Sequence, residues 1–357
     1  MDLWRPAAES YAAFAGEAAD SPCFADWATS VADDPEVLAR IETLPRIKQQ
    51  PNLVFAAARW HGVPAPGPYA GLREALLGDW EPIRRTVLAR STQTNEVGRL
   101  ATLLPVFAAL AGVDGVDGGG GTGGNGAGEV GGIGEERPLA LIEAGASAGL
   151  CLYPDRYRYE FSGDGSGTRL GAGPVLRCET TGPVPLPSRV PEVAWRAGVD
   201  LSPLDVRDAD QTAWLEMLVW PEQRDRRERL AEAVRVARRE PPHLVAGDLL
   251  EELPALLEQA PDGAVPVVFH SAVLAYLTPA DRERFVALIG GLVSEGRCRW
   301  VSNEAPGVLP GVAATVARGQ ASASAGSAPQ THFLLAVDGR AVARTHGHGR
   351  VLQWLTD

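Results

Sequence analysis

The residues best placed to do chemistry lie in Leu139–Tyr157, LALIEAGASAGLCLYPDRY. An apolar run ends in Glu143, and Gly145 and Gly149 follow on either side of Ser147. Glycines let a backbone turn sharply and approach a ligand with no Cβ in the way. N–H groups at the start of a following helix can then receive a polar or anionic group. Two later apolar runs also end in acids, Asp200 in EVAWRAGVDLSP and Asp248 in PHLVAGDLLEEL. An ionised carboxylate at such a tip accepts hydrogen bonds from two neighbouring hydroxyls, or it caps the next helix. A fourth run, AVPVVFHSAVLAYL, brings His270 and Ser271 to its end. An imidazole there could take a proton from a nucleophile, or sit hydrogen-bonded inside the domain.

A second polar cluster is RSTQTNEVGR, where Gln93, Thr94, Asn95, Glu96 and Arg99 precede an apolar helix. Gln93, Thr94, Asn95 and Arg99 are candidate substrate contacts, and Glu96 stands beside His270 as a candidate catalytic group. The competing reading is helix capping by Thr94 or Asn95, with Glu96 at the positive end. GASAG also has the G-x-S-x-G form of a nucleophile elbow, with Asp248 and His270 following in the order a serine hydrolase uses. Against a nucleophilic Ser147, its strand is the first of the domain rather than a later one. His346 and His348 are two apart and share a strand face, but no third ligand has a natural spacing, so no metal site is expected.

These residues need a scaffold, and the hydrophobic period supplies it. Residues 1–111 read as helices only; Asp33 and Asp34 can cap a turn before Pro35, and Gly62 can end a helix. Residues 112–138 are glycine-rich and lack the Lys-Ser/Thr ending of a phosphate loop, which makes them a flexible linker. From 139 to 357 short apolar runs alternate with amphipathic helices, the signature of a mostly parallel α/β sheet. Residues 156–191 read as a β-rich insertion and 306–330 as a mobile loop. THFLLAVDG and AVARTHGHGRVLQWL close the chain as two strands, an antiparallel edge.

The composition excludes some roles. A net charge of −12 over 357 residues argues against a general nucleic-acid binder, which wants a basic field against phosphate. Lysine occurs once, at Lys48, and the four cysteines show no CxxC pair, so a reduced cytosolic setting is expected. No signal-peptide pattern and no membrane-length apolar run are evident. A soluble cytoplasmic protein with a small-molecule partner is the resulting expectation; the oligomeric state is left open.

The order of acid-x-Gly-x-x-x-Gly, VDLSP, GD and a polar-tipped fourth strand resembles the class I S-adenosylmethionine-dependent methyltransferases. That resemblance implies a Rossmann-like sheet from about residue 138 onward and S-adenosylmethionine as cofactor. By position it implies Glu143, Gly145, Ser147 and Gly149 in the loop under the methionine part. Asp200 would then meet the ribose and Asp248 the adenine. Two departures stand out: Ser147 replaces the usual middle glycine, and Asp200 lies far beyond the interval of about 20 residues of a dinucleotide fingerprint. Glu160 and Asp164 sit nearer that interval and compete with it. The phrases QQPNLVFAAAR, ARSTQTNEVGR, ALIEAGASAGLCLYPDRY, VDLSPLDV, LVWPEQ, VVFHSAVLAYL and HGHGRVLQWL resemble an uncharacterised bacterial family, domain of unknown function 2332, which brings no established activity. The functional expectation is methyl transfer to a small molecule. Its rivals are a non-catalytic protein of the same fold and a hydrolase using Ser147.

Overall fold

The computed structural model describes residues 5–93, 95–114, 135–316 and 333–356. The chain forms two compact units, Met1–Thr94 with Leu204–Ala231, and Asn95–Pro203 with Glu232–Asp357. In the first unit the described residues form α1 (Ala7–Glu17), α2 (Pro22–Ala32), α3 (Pro35–Ile41), α4 (Pro51–Trp60), α5 (Tyr69–Gly78) and α6 (Trp80–Ala89). After α7 (Leu100–Leu110), which belongs to the second unit, come α8 (Ala209–Leu218) and α9 (Arg224–Arg239), the latter crossing the boundary. Polar side chains cap α2 and α3 as their types dictate. The Ser21 hydroxyl accepts from the Phe24 amide, and Asp34 accepts from the Glu36 and Val37 amides, each with proline at the first helical position. Gly62, beyond the end of α4, takes φ +94°. The core of this unit is aromatic, with Phe55 edge-on to Phe24 at 5.1 Å and to Trp27 at 5.4 Å.

The second unit carries an 11-stranded sheet in the order β3-β2-β4-β11-β10-β9-β8-β7-β1-β5-β6. Its strands are β1 (Leu139–Ala144), β2 (Arg158–Gly163), β3 (Arg169–Gly171), β4 (Val175–Thr181), β5 (Val193–Asp200) and β6 (His243–Ala246). They continue with β7 (Val265–Ser271), β8 (Arg299–Glu304), β9 (Phe333–Val337), β10 (Arg340–Thr345) and β11 (Val351–Trp354). The block β6-β5-β1-β7-β8 is parallel throughout, while β8-β9-β10-β11 is antiparallel. All six residues of β1 are buried, as a central strand covered on both faces requires. On one face Ile142, Ala144, Val199 and Val268 meet Leu253 and Leu256 of α10 (Leu249–Leu257) and Phe285 and Ile289 of α11 (Pro279–Ser294). On the other, Phe107 of α7 stands edge-on to Phe269 at 5.3 Å.

Two sequence expectations change here, for α7 and for the last apolar segment. The helix α7 groups with the sheet rather than with the helices before it, because it is apolar nearly all round and needs cover on every side. Residues 156–191 contain β2–β4, and β4 pairs in parallel with β11, so these strands extend the sheet at its far edge. The last apolar segment is two strands, since the HGHG turn divides AVARTHGHGRVLQWL into β10 and β11. Of the expected linker and mobile loop, residues 115–134 and 317–332 lie outside the described residues, while Pro310–Ala313 forms the short helix α12. Among the described residues no helix is long and apolar enough to cross a membrane.

Candidate functional site

β1 has β5 and β6 on one side and β7 and β8 on the other, so the sheet has a switch point at the carboxyl end of β1. In open α/β sheets that position forms a crevice where ligands bind. The loop there is EAGASAG. Gly145 and Gly149 take φ +74° and +66°, and Ser147, at φ +52°, adopts the left-handed backbone that its position demands of a non-glycine residue.

The loop is closed by the protein itself. The amides of Gly145 and Ala146 both donate to the Val199 carbonyl, and Gly149 donates to Ala146. The Ser147 amide donates to Asp200 Oδ2 at 2.8 Å, and the Leu150 amide to Asn95 Oδ1 at 3.2 Å. The space that a Cβ would need is also taken. At Gly145 it would lie 2.5 Å from Val273 Cγ1, and at Gly149 2.8 Å from Pro242 Cγ. The glycines therefore serve turning and close packing, and the expectation that their N–H groups receive an anion does not hold for these five amides.

What the loop offers instead is acceptors. Asp200, half-buried, is oriented by the Ser147 amide on one oxygen and by the Ser202 amide on the other at 2.9 Å. Each carboxylate oxygen has two lone-pair sites, so both retain capacity. Behind it, Glu143 is 7% exposed and its Oε2 has no hydrogen-bond partner among the described residues; the same is true of Ser147 Oγ and Asn95 Nδ2. Three buried unsatisfied atoms around one loop are unusual in a native protein, where such groups are almost always paired. Burial pushes the Glu143 carboxyl well above the usual range; Arg99 nearby opposes this and Asp200 adds to it. Arg99 itself is held by carbonyls, Nη1 donating to Ser271 O and Nε to Gly347 O, both at 2.8 Å.

The tip of β7 is rigid. Trp300 Nε1 donates to His270 Nε2 at 3.0 Å, which places the imidazole proton on Nδ1, where it is donated to Glu304 Oε1 at 2.8 Å. The same oxygen accepts the Val273 and Leu274 amides. Completely buried, with both nitrogens engaged, His270 has no atom to accept a proton from a bound molecule, so its candidate role as a base is withdrawn. Its work is to hold Glu304, which fixes Val273 against Gly145. Nor does it serve a hydrolase. Ser147 has the left-handed φ of an elbow, but its hydroxyl meets no imidazole. Alongside, Asn303 Nδ2 donates to Ser271 Oγ, and Thr345 Oγ1 donates to Asn303 Oδ1.

The polar cluster divides. Asn95, Glu96 and Arg99 belong to the sheet unit, where Glu96 Oε1 accepts the Gly98 amide and so caps its own turn. Gln93 is buried in the helical unit, and Thr94 lies outside the described residues. Asp248 is exposed and caps α10 through the Leu250 amide at 2.8 Å; Ala246, just before it, pairs in register with Asp200. Glu160 and Asp164 are removed as ribose candidates. Glu160 lies on β2, separated from β1 by six strands, and pairs with Arg177, while Asp164 accepts the Gly182 amide. No group of three metal-ligating side chains occurs among the described residues. Sequence reasoning missed Glu304, although the rule that found Asp200, an acid closing an apolar strand, applies equally to RCRWVSNE.

Fold and site together define a mixed α/β protein whose mostly parallel sheet carries a carboxylate-lined loop at its switch point. The chain belongs to a family of uncharacterised proteins conserved in bacteria, DUF2332, whose model matches residues 8–117 and 126–354. Comparison with curated proteins and with solved structures finds no match in either.

Proposed function

We propose that this protein binds an S-adenosylmethionine-type ligand at the tips of β1, β5 and β6 and directs its methyl group to a small-molecule acceptor. The observation that carries this reading is the chemistry of the loop. The amides of Gly145, Ala146, Ser147, Gly149 and Leu150 are taken internally, whereas Glu143 and Ser147 and Asp200 keep acceptor capacity. Such a site suits hydroxyls and positive charge, and it disfavours the pyrophosphate of a dinucleotide, which needs free N–H groups. The parallel order β6-β5-β1-β7-β8 with an antiparallel neighbour supports the Rossmann-like methyltransferase comparison. The meander β9-β10-β11 and the added β2–β4 depart from that comparison.

When bound, the ligand's sulfonium supplies an electrophilic methyl group. The chain's contribution is placement. Asp200, preset by two amides, accepts from neighbouring hydroxyls; Asn95 Nδ2 can donate to a carboxylate; Asp248, two residues beyond β6 at the start of α10, can accept from a base edge. Alignment of donor and acceptor accounts for most of what such a transfer needs. That both His270 and Glu96 are committed to internal bonds favours one second reading, a binder that does not catalyse.

The test is calorimetric titration with S-adenosylmethionine, S-adenosylhomocysteine and NADH. The first two should bind and NADH should not. Replacing Asp200 by Ala should weaken binding about tenfold or more, the scale of charge-assisted hydrogen bonds. A folded protein that takes up neither sulfur ligand refutes the proposal.

A further inference from the structure

The buried Glu143 carboxyl is the one ionisable group at the loop whose charge nothing in the described protein balances directly. Its Oε2 has no hydrogen-bond partner among the described residues, and Arg99, the nearby cation, spends its Nε and Nη1 on the carbonyls of Gly347 and Ser271. A bare carboxylate in such a place is costly unless it is protonated or paired. The other groups around it do not supply a pairing cation. Asp200 on β5 and Glu96 in the turn before α7 are acids, the Cys151 thiol is neutral, and His270 on β7 is occupied by Glu304 and Trp300.

From this arrangement we infer that Glu143 is a proton-exchanging counter-ion, neutral without ligand, which gives up its proton to solvent when a cationic group of the ligand docks beside Oε2. The exchange balances: a carboxylic acid and a cation become a carboxylate–cation pair and one released proton. Burial, which raises the affinity of Glu143 for its proton, acts in the same direction. The inference rests on the ligand reading above and adds to it which feature of the ligand is recognised. A positively charged ligand should be preferred over an uncharged nucleoside of similar shape, and binding should weaken as pH falls.

The experiment compares S-adenosylmethionine, S-adenosylhomocysteine and 5′-methylthioadenosine by calorimetry in two buffers of different ionisation enthalpy. Glu143→Gln is run beside the wild type. For the first two ligands the wild type should release close to one proton, seen as a buffer-dependent heat, and Glu143→Gln should release none from this site. The variant should lose about tenfold in affinity for the charged ligands, the scale of a hydrogen bond to a charged group, while 5′-methylthioadenosine changes less than threefold. Binding with the same proton release in both proteins overturns the Glu143 inference and leaves the ligand reading standing. If no ligand binds the wild type, the ligand reading fails as well. The protonated state of Glu143 is then decided by whether Glu143→Gln removes the pH dependence of ligand-free stability; if it does not, that part fails too.

Discussion

Replacing Ser147 should make the ligand-free protein more stable, although the residue is buried in the loop. Its hydroxyl is desolvated without a hydrogen-bond partner among the described residues, a condition that costs about 1–3 kcal/mol. Its φ of +52° adds about 1–2 kcal/mol for a residue with a Cβ. Ser147→Ala removes only the first penalty and should gain about 1–2 kcal/mol. Ser147→Gly removes both, but the freer unfolded chain takes back about 0.4–1 kcal/mol, so its gain should equal or slightly exceed that of alanine. Equilibrium urea denaturation reads this directly. With a slope of about 2–3 kcal/mol/M, each variant should move the midpoint up by roughly 0.3–1 M. S-adenosylhomocysteine affinity should fall in both variants, which is the usual trade between stability and a prepared site. A loss of more than about 1 kcal/mol in both variants would mean that the hydroxyl has a stabilising partner in the ligand-free protein, and the account of an unsatisfied loop would be wrong.

Gly145→Ala should destabilise by about 2–4 kcal/mol, combining overpacking against Val273 with the positive φ. Val273→Ala in the same chain should recover part of that loss, and a double-mutant cycle showing no coupling refutes the contact. Trp300→Phe leaves His270 Nε2 without its donor in the core and should lose about 1–3 kcal/mol, measured by the same denaturation. Glu143 holds its proton more tightly folded than unfolded. Ligand-free stability should therefore fall as pH rises from the ordinary glutamate range through the raised folded value. Glu143→Gln should remove that slope between pH 5 and 8; an unchanged slope assigns it to other groups.

Much of this architecture was legible because it depends on local pattern. The five apolar runs that became β1, β5, β6, β7 and β8 are short, and all but β6 are largely buried. They are separated by helical periods, and run length together with the period separates the two states. Caps such as Asp34 before Pro35 were readable because the bonds that define them span two or three residues. The position of EAGASAG at a strand end followed from the same pattern, whereas strand pairing alone sets the tips of β5 and β6 beside it.

What the tertiary structure decided concerns partners distant in the chain. Nothing in HSAVLAY says that Trp300 and Glu304 occupy both nitrogens of His270. Nothing in GASAG says that Val273 and Pro242 fill the space beside its glycines. The role of a polar side chain depends on which distant groups meet its donors and acceptors, and sequence spacing does not encode that. Composition and period determined the elements and their order. Packing decided that five amides of the loop would be taken internally and that Glu143, Ser147 and Asn95 would keep unmet hydrogen-bonding capacity, because only in the closed fold are the other partners already taken.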